Sequence, residues 1–150
     1  MQNSLFRPNV AGIVRRSDGR ILIGERSDRV GCWQFPQGGI HSSETPEEAL
    51  QRELGEEISL PSNCYRVTDR HGPYRYLFLP NRKKEGFDGQ EQIYFLVDLL
   101  PHCEPSPHTP DPEFQTLRWI WPHEFEISWL PPFKREVYRQ VMSDFFQVQL

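Results

Sequence analysis

Three glutamates, Glu53, Glu56 and Glu57, recur at a spacing that puts them on one side of a helix. At about 100° per residue they share an arc of roughly 100°, so like charges are held side by side. Such crowding costs of order 0.2–0.5 kcal/mol per i,i+4 pair even when exposed, and a divalent cation reverses the sign. With only carboxylates in the set, magnesium fits better than zinc, and manganese is the alternative. Gly38 and Gly39 lie a few residues upstream, where a side-chain-free backbone approaches a ligand closely and offers a carbonyl oxygen. Alone, the acidic run also fits a solvated helix face with Arg52 as counter-ion; the glycine turn joined to it favours the ion.

The element that must carry these carboxylates is a helix from Pro46 to about Ile58. Thr45 is a suitable N-cap, Pro46 fits the first helical position, and Glu48 completes a capping box. Leu50, Leu54 and Ile58 form its buried stripe, with the glutamates at the stripe's edge. Upstream, Asn9–Val14 and Arg20–Gly24 flank Asp18-Gly19 and predict a β-hairpin. Trp33–Phe35 predicts a short strand ended by Pro36, with Gln37-Gly38-Gly39 as a loop. Residues 65–69, 74–79, 92–99 and 115–120 predict further strands from their aromatic and β-branched content. Five prolines between Pro101 and Pro112 predict an extended surface loop. Long structureless loops in compact domains are often functional, so this one is a candidate lid. Phe133, Val137, Val141 and Phe145 predict a second amphipathic helix over 133–146.

The 150 residues suit one core and one domain, 1–150, of layered α/β type. A net charge of −4 argues against a general nucleic-acid coat protein but permits a local basic lining for one anionic substrate. Mean hydropathy of −0.66 and the lack of any long apolar run argue against a membrane role. No signal sequence is evident, and Cys32, Cys64 and Cys103 lie far apart, which fits reduced thiols in a cytoplasmic protein. No obligate protein partner is indicated. The histidines show no metal-ligand spacing.

From Gly38 to Leu60 the chain reads GGIHSSETPEEALQRELGEEISL and resembles the Nudix box, GX5EX7REUXEEXGU with U aliphatic. Gly38, Glu44, Arg52, Glu53, Leu54, Glu56, Glu57 and Leu60 all fall in place; the late glycine is Ser59 here. The resemblance implies the Nudix fold, an α/β/α sandwich with a mixed central sheet, and water-driven cleavage of a phosphoanhydride. It also implies metal ligands at Glu56, Glu57, Glu53 and the Gly38 carbonyl, with Glu53 or Glu57 as general base. Arg52 would orient the carboxylates, and Glu44 would support the loop and helix start. Glu113, just past the proline-rich loop, resembles a further acidic residue of the metal cluster, though a surface charge is the plainer alternative.

FRPNVAGIV, WQFPQGGI, GQEQIYFLVDL and FKREVYRQVM resemble one branch of the family, which unites diadenosine polyphosphate hydrolases and bacterial RNA pyrophosphohydrolases. On this match Arg7, Arg26 and Lys134 would bind phosphates, and Tyr76 and Phe133 are candidates to stack a base; both aromatics could equally serve the core. Arg82-Lys83-Lys84 is read as a solvated turn. The short segment between Pro80 and Gly89 favours a dinucleoside polyphosphate, with asymmetric cleavage of diadenosine tetraphosphate to ATP and AMP, over removal of pyrophosphate from RNA 5′ ends. A nucleotide-sensing module without catalysis is disfavoured because the box carboxylates are all kept, and sanitation of oxidised nucleotides because the flanks match another branch.

Overall fold

The computed structural model describes residues 4–80 and 83–150. Arg82, the first residue of the basic run, lies outside them; Lys83 pairs with Asp88 at 2.9 Å.

β1 (Phe6–Arg15) turns at Gly19, whose φ is +97°, into β2 (Ile21–Arg26). Short strands β3 (Trp33–Gln34) and β4 (Gln37–Gly39) follow, then helix α1 (Pro46–Ile58). β5 (Tyr65–Leu77), β6 (Gly89–Leu99), β7 (Phe114–Ile120) and helix α2 (Pro132–Phe146) complete the chain. All seven strands share one mixed sheet, in which β1 and β6 pair in parallel from Phe6↔Gly89 to Arg15↔Asp98 and the other ladders are antiparallel. The fold is the expected α/β/α sandwich with a mixed central sheet.

Strand alternation assigns the two faces. Val10 and Val14 of β1 and Phe95 and Val97 of β6 pack with Leu50, Leu54 and Ile58 of α1. Ala11, Ile13, Tyr94 and Leu96 face the other way and pack with Val137, Tyr138 and Val141 of α2. Gly12 lies under α1, where an added Cβ would come within 3.0 Å of Leu50; the helix can seat this closely only because the position is bare.

α1 follows its capping signals. Thr45 accepts from the Glu48 amide, and the Glu48 carboxylate accepts from the Thr45 amide. Ser59 ends the helix at φ +56°, the left-handed conformation that glycine adopts without strain. Ser59→Gly should therefore stabilise the fold by about 1 kcal/mol and raise Tm by roughly 2–4 °C. Turnover should stay within twofold of wild type; a larger change would mean that Ser59 contributes to the site.

Three sequence expectations are corrected. Gln37–Gly39 is not a loop but a strand, registered Asn9↔Gly39, Val10↔Gly38 and Ala11↔Gln37. The two strands expected over 65–79 are one, β5, with register shifts at Val67/Asp69 and His71/Tyr74 that absorb Gly72-Pro73. The cysteines are not all reduced: Cys64 and Cys103 are disulfide-paired, with Cα atoms 5.6 Å apart, while Cys32 is buried and free. Antiparallel pairing of β5 with β6 brings these ends together, and the Leu100 amide donates to the Cys64 carbonyl at 2.8 Å. Residues 101–112 form no strand or helix, as expected; the Ser106 amide ties them to the Ile58 carbonyl at the end of α1. No described helix is long and apolar enough to cross a membrane.

Candidate active site

Helix α1 lies with its carboxylate side against β4. Glu53 and Glu57 are buried, and Gly38 of β4 passes so close that an added Cβ would overlap the Glu53 carboxylate. The Gln37 amide donates to Glu57 Oε2 at 3.0 Å. Burial pushes the Glu57 carboxyl well above its ordinary range, and the charges of Glu53 and Glu113 push the same way. Glu53 is also raised, chiefly by burial, although Arg52 opposes the shift.

Arg52 organises this end of the site. Its guanidinium grips Glu44 through two bonds of 2.7 and 2.9 Å, donates to Glu53 Oε1 at 2.6 Å, and reaches the Gly39 carbonyl at 2.8 Å. A longer contact of 3.3 Å goes to Glu56. The paired bonds from Arg52, with the His41 amide, hold the Glu44 carboxyl down at about 2. Arg52 thus joins the glycine strand, the helix start and two box glutamates.

Among the described residues no three His, Cys, Asp or Glu side chains converge at ligand distance. Arg52 draws Glu53 and Glu56 towards itself, so a cation would compete with the guanidinium for them. The donor set still fits a hard divalent ion: oxygen ligands only, two of them held in a site that raises their proton affinity. Glu113 faces the same space, a recess of about 420 Å³ lined by Glu53, Glu56, Glu57, Asp111 and Glu113.

Beside it opens a cavity of about 220 Å³, with Gly38 and Glu113 on its wall. Here the structure gathers the residues expected to bind substrate from four separate segments. Arg7, Arg26 and Lys134 line it, as do Tyr76 and Phe133, whose rings lie 5.7 Å apart. Arg7 rests on Gly39, where an added Cβ would collide with its guanidinium. Tyr76 is buried, so Phe133, half-exposed, is the aromatic with a face to offer. Arg26 is held by Asp28 at 2.7 Å. Six cavity residues escaped the sequence reading: Asn9, Gln34, Gln37, Phe78, Lys84 and Gln90. Their one signal is the alternation of amides Gln90 and Gln92 in a strand whose next core positions are Tyr94 and Leu96.

Lys134 is buried, with Gln34 Oε1 at 3.3 Å as its hydrogen-bond acceptor. Burial, reinforced by Arg26, pulls its ammonium down from 10.5 to about 8. A cation with a depressed value costs stability while protonated, and that cost disappears as pH rises from 8 to 10.5. Lys134→Met should therefore be more stable than wild type at pH 7, by on the order of 3 kcal/mol, with the gap closing above pH 8. Its substrate KM should be high and flat, whereas wild-type KM should climb through pH 8 as the amine loses its charge. Melting curves and kinetics at pH 7 and pH 9.5 measure both; a variant with unchanged KM at pH 7 would remove Lys134 from substrate binding.

Residues 5–141 match the NUDIX domain family, and the chain belongs to it. Members generally need a divalent metal ion and hydrolyse phosphoanhydride bonds of nucleotide-type substrates. A protein of Helicobacter pylori (strain G27) named RNA pyrophosphohydrolase is 41% identical over 154 aligned positions, spanning 97% of this chain and 96% of the relative. Another of that name, from Xylella fastidiosa (strain M12), is 39% identical and spans 91% and 75%. Among solved structures, the E. coli dihydroneopterin triphosphate pyrophosphohydrolase superposes with a TM-score of 0.70 at 19% identity over 94% and 97% of the chains. A C. elegans Ap4A hydrolase in a binary complex gives 0.60 at 17% identity over 77% and 80%. At these identities the structures speak for the fold alone.

Proposed function

We propose that the chain is an RNA 5′-pyrophosphohydrolase that converts triphosphorylated ends to monophosphorylated ends. The likeness that carries this reading is near-full-length similarity, at 41% identity, to proteins of that name. It reverses the order drawn from the short segment between Pro80 and Gly89, which had put diadenosine tetraphosphate first. The cavity supports either anion: Arg7, Arg26 and Lys134 would neutralise a polyphosphate, and Phe133 would take a base against its ring, a contact worth roughly 1–3 kcal/mol.

Glu53, Glu56, Glu57 and Glu113, with the Gly38 carbonyl, would hold magnesium, or manganese in its place. Bound there, the ion would neutralise phosphate charge and acidify water. Arg52 keeps Glu53 aimed at Gly38, and the cavity cations set the polyphosphate in line. Hydrolysis breaks the α–β anhydride bond: water's oxygen joins one phosphorus, its proton passes to Glu53 or Glu57, and pyrophosphate leaves. Little covalent help is needed beyond this positioning.

The purified protein, given magnesium and either triphosphorylated RNA or diadenosine tetraphosphate, should release pyrophosphate from the RNA. Ion-exchange chromatography resolves the products. ATP and AMP from the dinucleotide, with the RNA left intact, would restore the dinucleotide reading.

A further inference from the structure

The floor of the cavity is a chain of side-chain amides that neither the box nor the cation cluster accounts for. Asn9 Nδ2 donates to Gln90 Oε1 at 2.8 Å, and Gln90 Nε2 donates to the Tyr76 hydroxyl at 2.5 Å. Gln92 Nε2 donates to Asn9 Oδ1 at 2.9 Å and to Gln37 Oε1 at 2.6 Å. Gln92 Oε1 accepts the Tyr94 hydroxyl at 3.4 Å. The links have a structural origin: Arg7↔Gln90, Asn9↔Gln92 and Ala11↔Tyr94 are register pairs on the α2-facing side of β1 and β6.

A primary amide donates only from nitrogen and accepts only at oxygen, so each link fixes the sense of the next. Reversing Asn9 alone would set donor against donor at Gln92 and acceptor against acceptor at Gln90. Only a concerted reversal of all four amides keeps every bond. In the observed sense, both ends of the chain keep a hydrogen to give. The Gln37 carbonyl is taken by Gln92, which leaves Gln37 Nε2 free to donate. The Tyr76 oxygen accepts from Gln90, which leaves the phenolic hydrogen free. Gln37 and Tyr76 line the same cavity, Gln37 beside Glu57 and Tyr76 beside Phe133.

We propose that Asn9, Gln37, Gln90 and Gln92 form a single polarised hydrogen-bond chain that presents Gln37 Nε2 and the Tyr76 hydroxyl together as donors to phosphate oxygens, with Gln92 as its hub. The inference rests on the reading of the cavity as a polyphosphate site and adds what selects the ligand. A group that accepts on every face stabilises the donor-outward sense at both ends at once; a ligand that brings a donor to either end must work against the whole chain. Gln92 is a positioning residue: it is 1% exposed and acts through Asn9 and Gln37.

The test uses inorganic tripolyphosphate as probe, without metal, read by calorimetry and by the side-chain amide signals in 15N-resolved NMR. In the wild type, the buried Gln92 amide signal should move on binding. Tyr76→Phe removes one terminal donor and should weaken binding about tenfold. Gln92→Met cuts the chain and should weaken binding by less than Gln92→Glu, whose acceptor-only hub enforces the reversed sense. The Gln92→Glu defect should shrink between pH 8 and pH 5.5 as the carboxyl regains a hydrogen, a recovery that damaged folding would not give. If Gln92→Glu does not fold, Tyr76→Phe and the wild-type signals still decide the matter. Wild-type affinity in Tyr76→Phe and Gln92→Met, with a stationary Gln92 signal, would overturn the proposal. A protein that binds tripolyphosphate with these responses yet leaves triphosphorylated RNA intact would refute the RNA assignment and keep the chain.

Discussion

Replacing Glu57 by glutamine should cost about a thousandfold in turnover while making the metal-free protein more stable. The two effects share one cause. Glu57 is buried among Glu53 and Glu113, and its carboxyl is raised well above 4.5. A raised carboxyl takes up a proton on folding. Its unfavourable contribution is therefore absent below pH 4.5, grows as pH rises towards the folded-state value, and is complete above it. Glutamine keeps the shape and removes that cost, so E57Q should melt higher than wild type at pH 7.5 without metal and equally at pH 4. Saturating magnesium should raise Tm of the wild type and leave E57Q nearly unmoved, because binding to the folded state alone is what stabilises. Losing a ligand worth several kcal/mol in the transition state accounts for the rate. Glu56→Gln, at an exposed position, should show the same loss of activity. Thermal melting across pH, with and without magnesium, alongside single-turnover kinetics, covers each point. If E57Q turned over at a tenth of the wild-type rate or better, Glu57 could not be a metal ligand or the base.

Gly38→Ala should be nearly as damaging. The methyl group would occupy the space of the Glu53 carboxylate, so either β4 withdraws or Glu53 turns off Gly38. A displacement of about 1 Å at a reacting centre costs on the order of a hundredfold in rate, and kcat should fall by that amount. Because β4 is registered on β1 through Val10↔Gly38, the disturbance should also reach the cavity and raise KM, though by less. A magnesium titration should show weaker ion uptake. Near-normal kcat would show that the close approach of backbone and carboxylate is incidental to the chemistry.

Helix α1 was readable in the residues because its signals are local: a capping box, a proline at the first turn and a four-residue apolar stripe, all within fourteen positions. The box carboxylates came with it. Gln37–Gly39 was not readable, since two glycines and a glutamine have no strand preference and β1 supplies the pairing from outside. The Cys64–Cys103 pair, separated by 39 residues, depends on how β5 folds back on β6. Arg7, Arg26, Tyr76, Phe133, Lys134 and Glu113 were named through resemblance, and the fold brings them to one cavity and its rim. The amide floor went unnoticed because a glutamine inside a strand carries no mark of its neighbours across the sheet. The ranking of substrates rested on the length of one segment, whereas the near-full-length likeness to proteins named RNA pyrophosphohydrolase favours the other order.

The in-register parallel ladder of β1 and β6 also bears on the expected order of assembly. Partners such as Asn9 and Gln92 are 83 residues apart, and parallel strands cannot be set by a short hairpin. The α1 turn can form early from contacts close in sequence, whereas the cavity floor must wait until that long loop has closed. A refolding chain should thus regain helical circular dichroism before it regains tripolyphosphate binding, and simultaneous recovery in stopped-flow would contradict this sequence of events. A nascent or partly unfolded copy would carry the acidic helix before the cavity floor exists to grip any ligand.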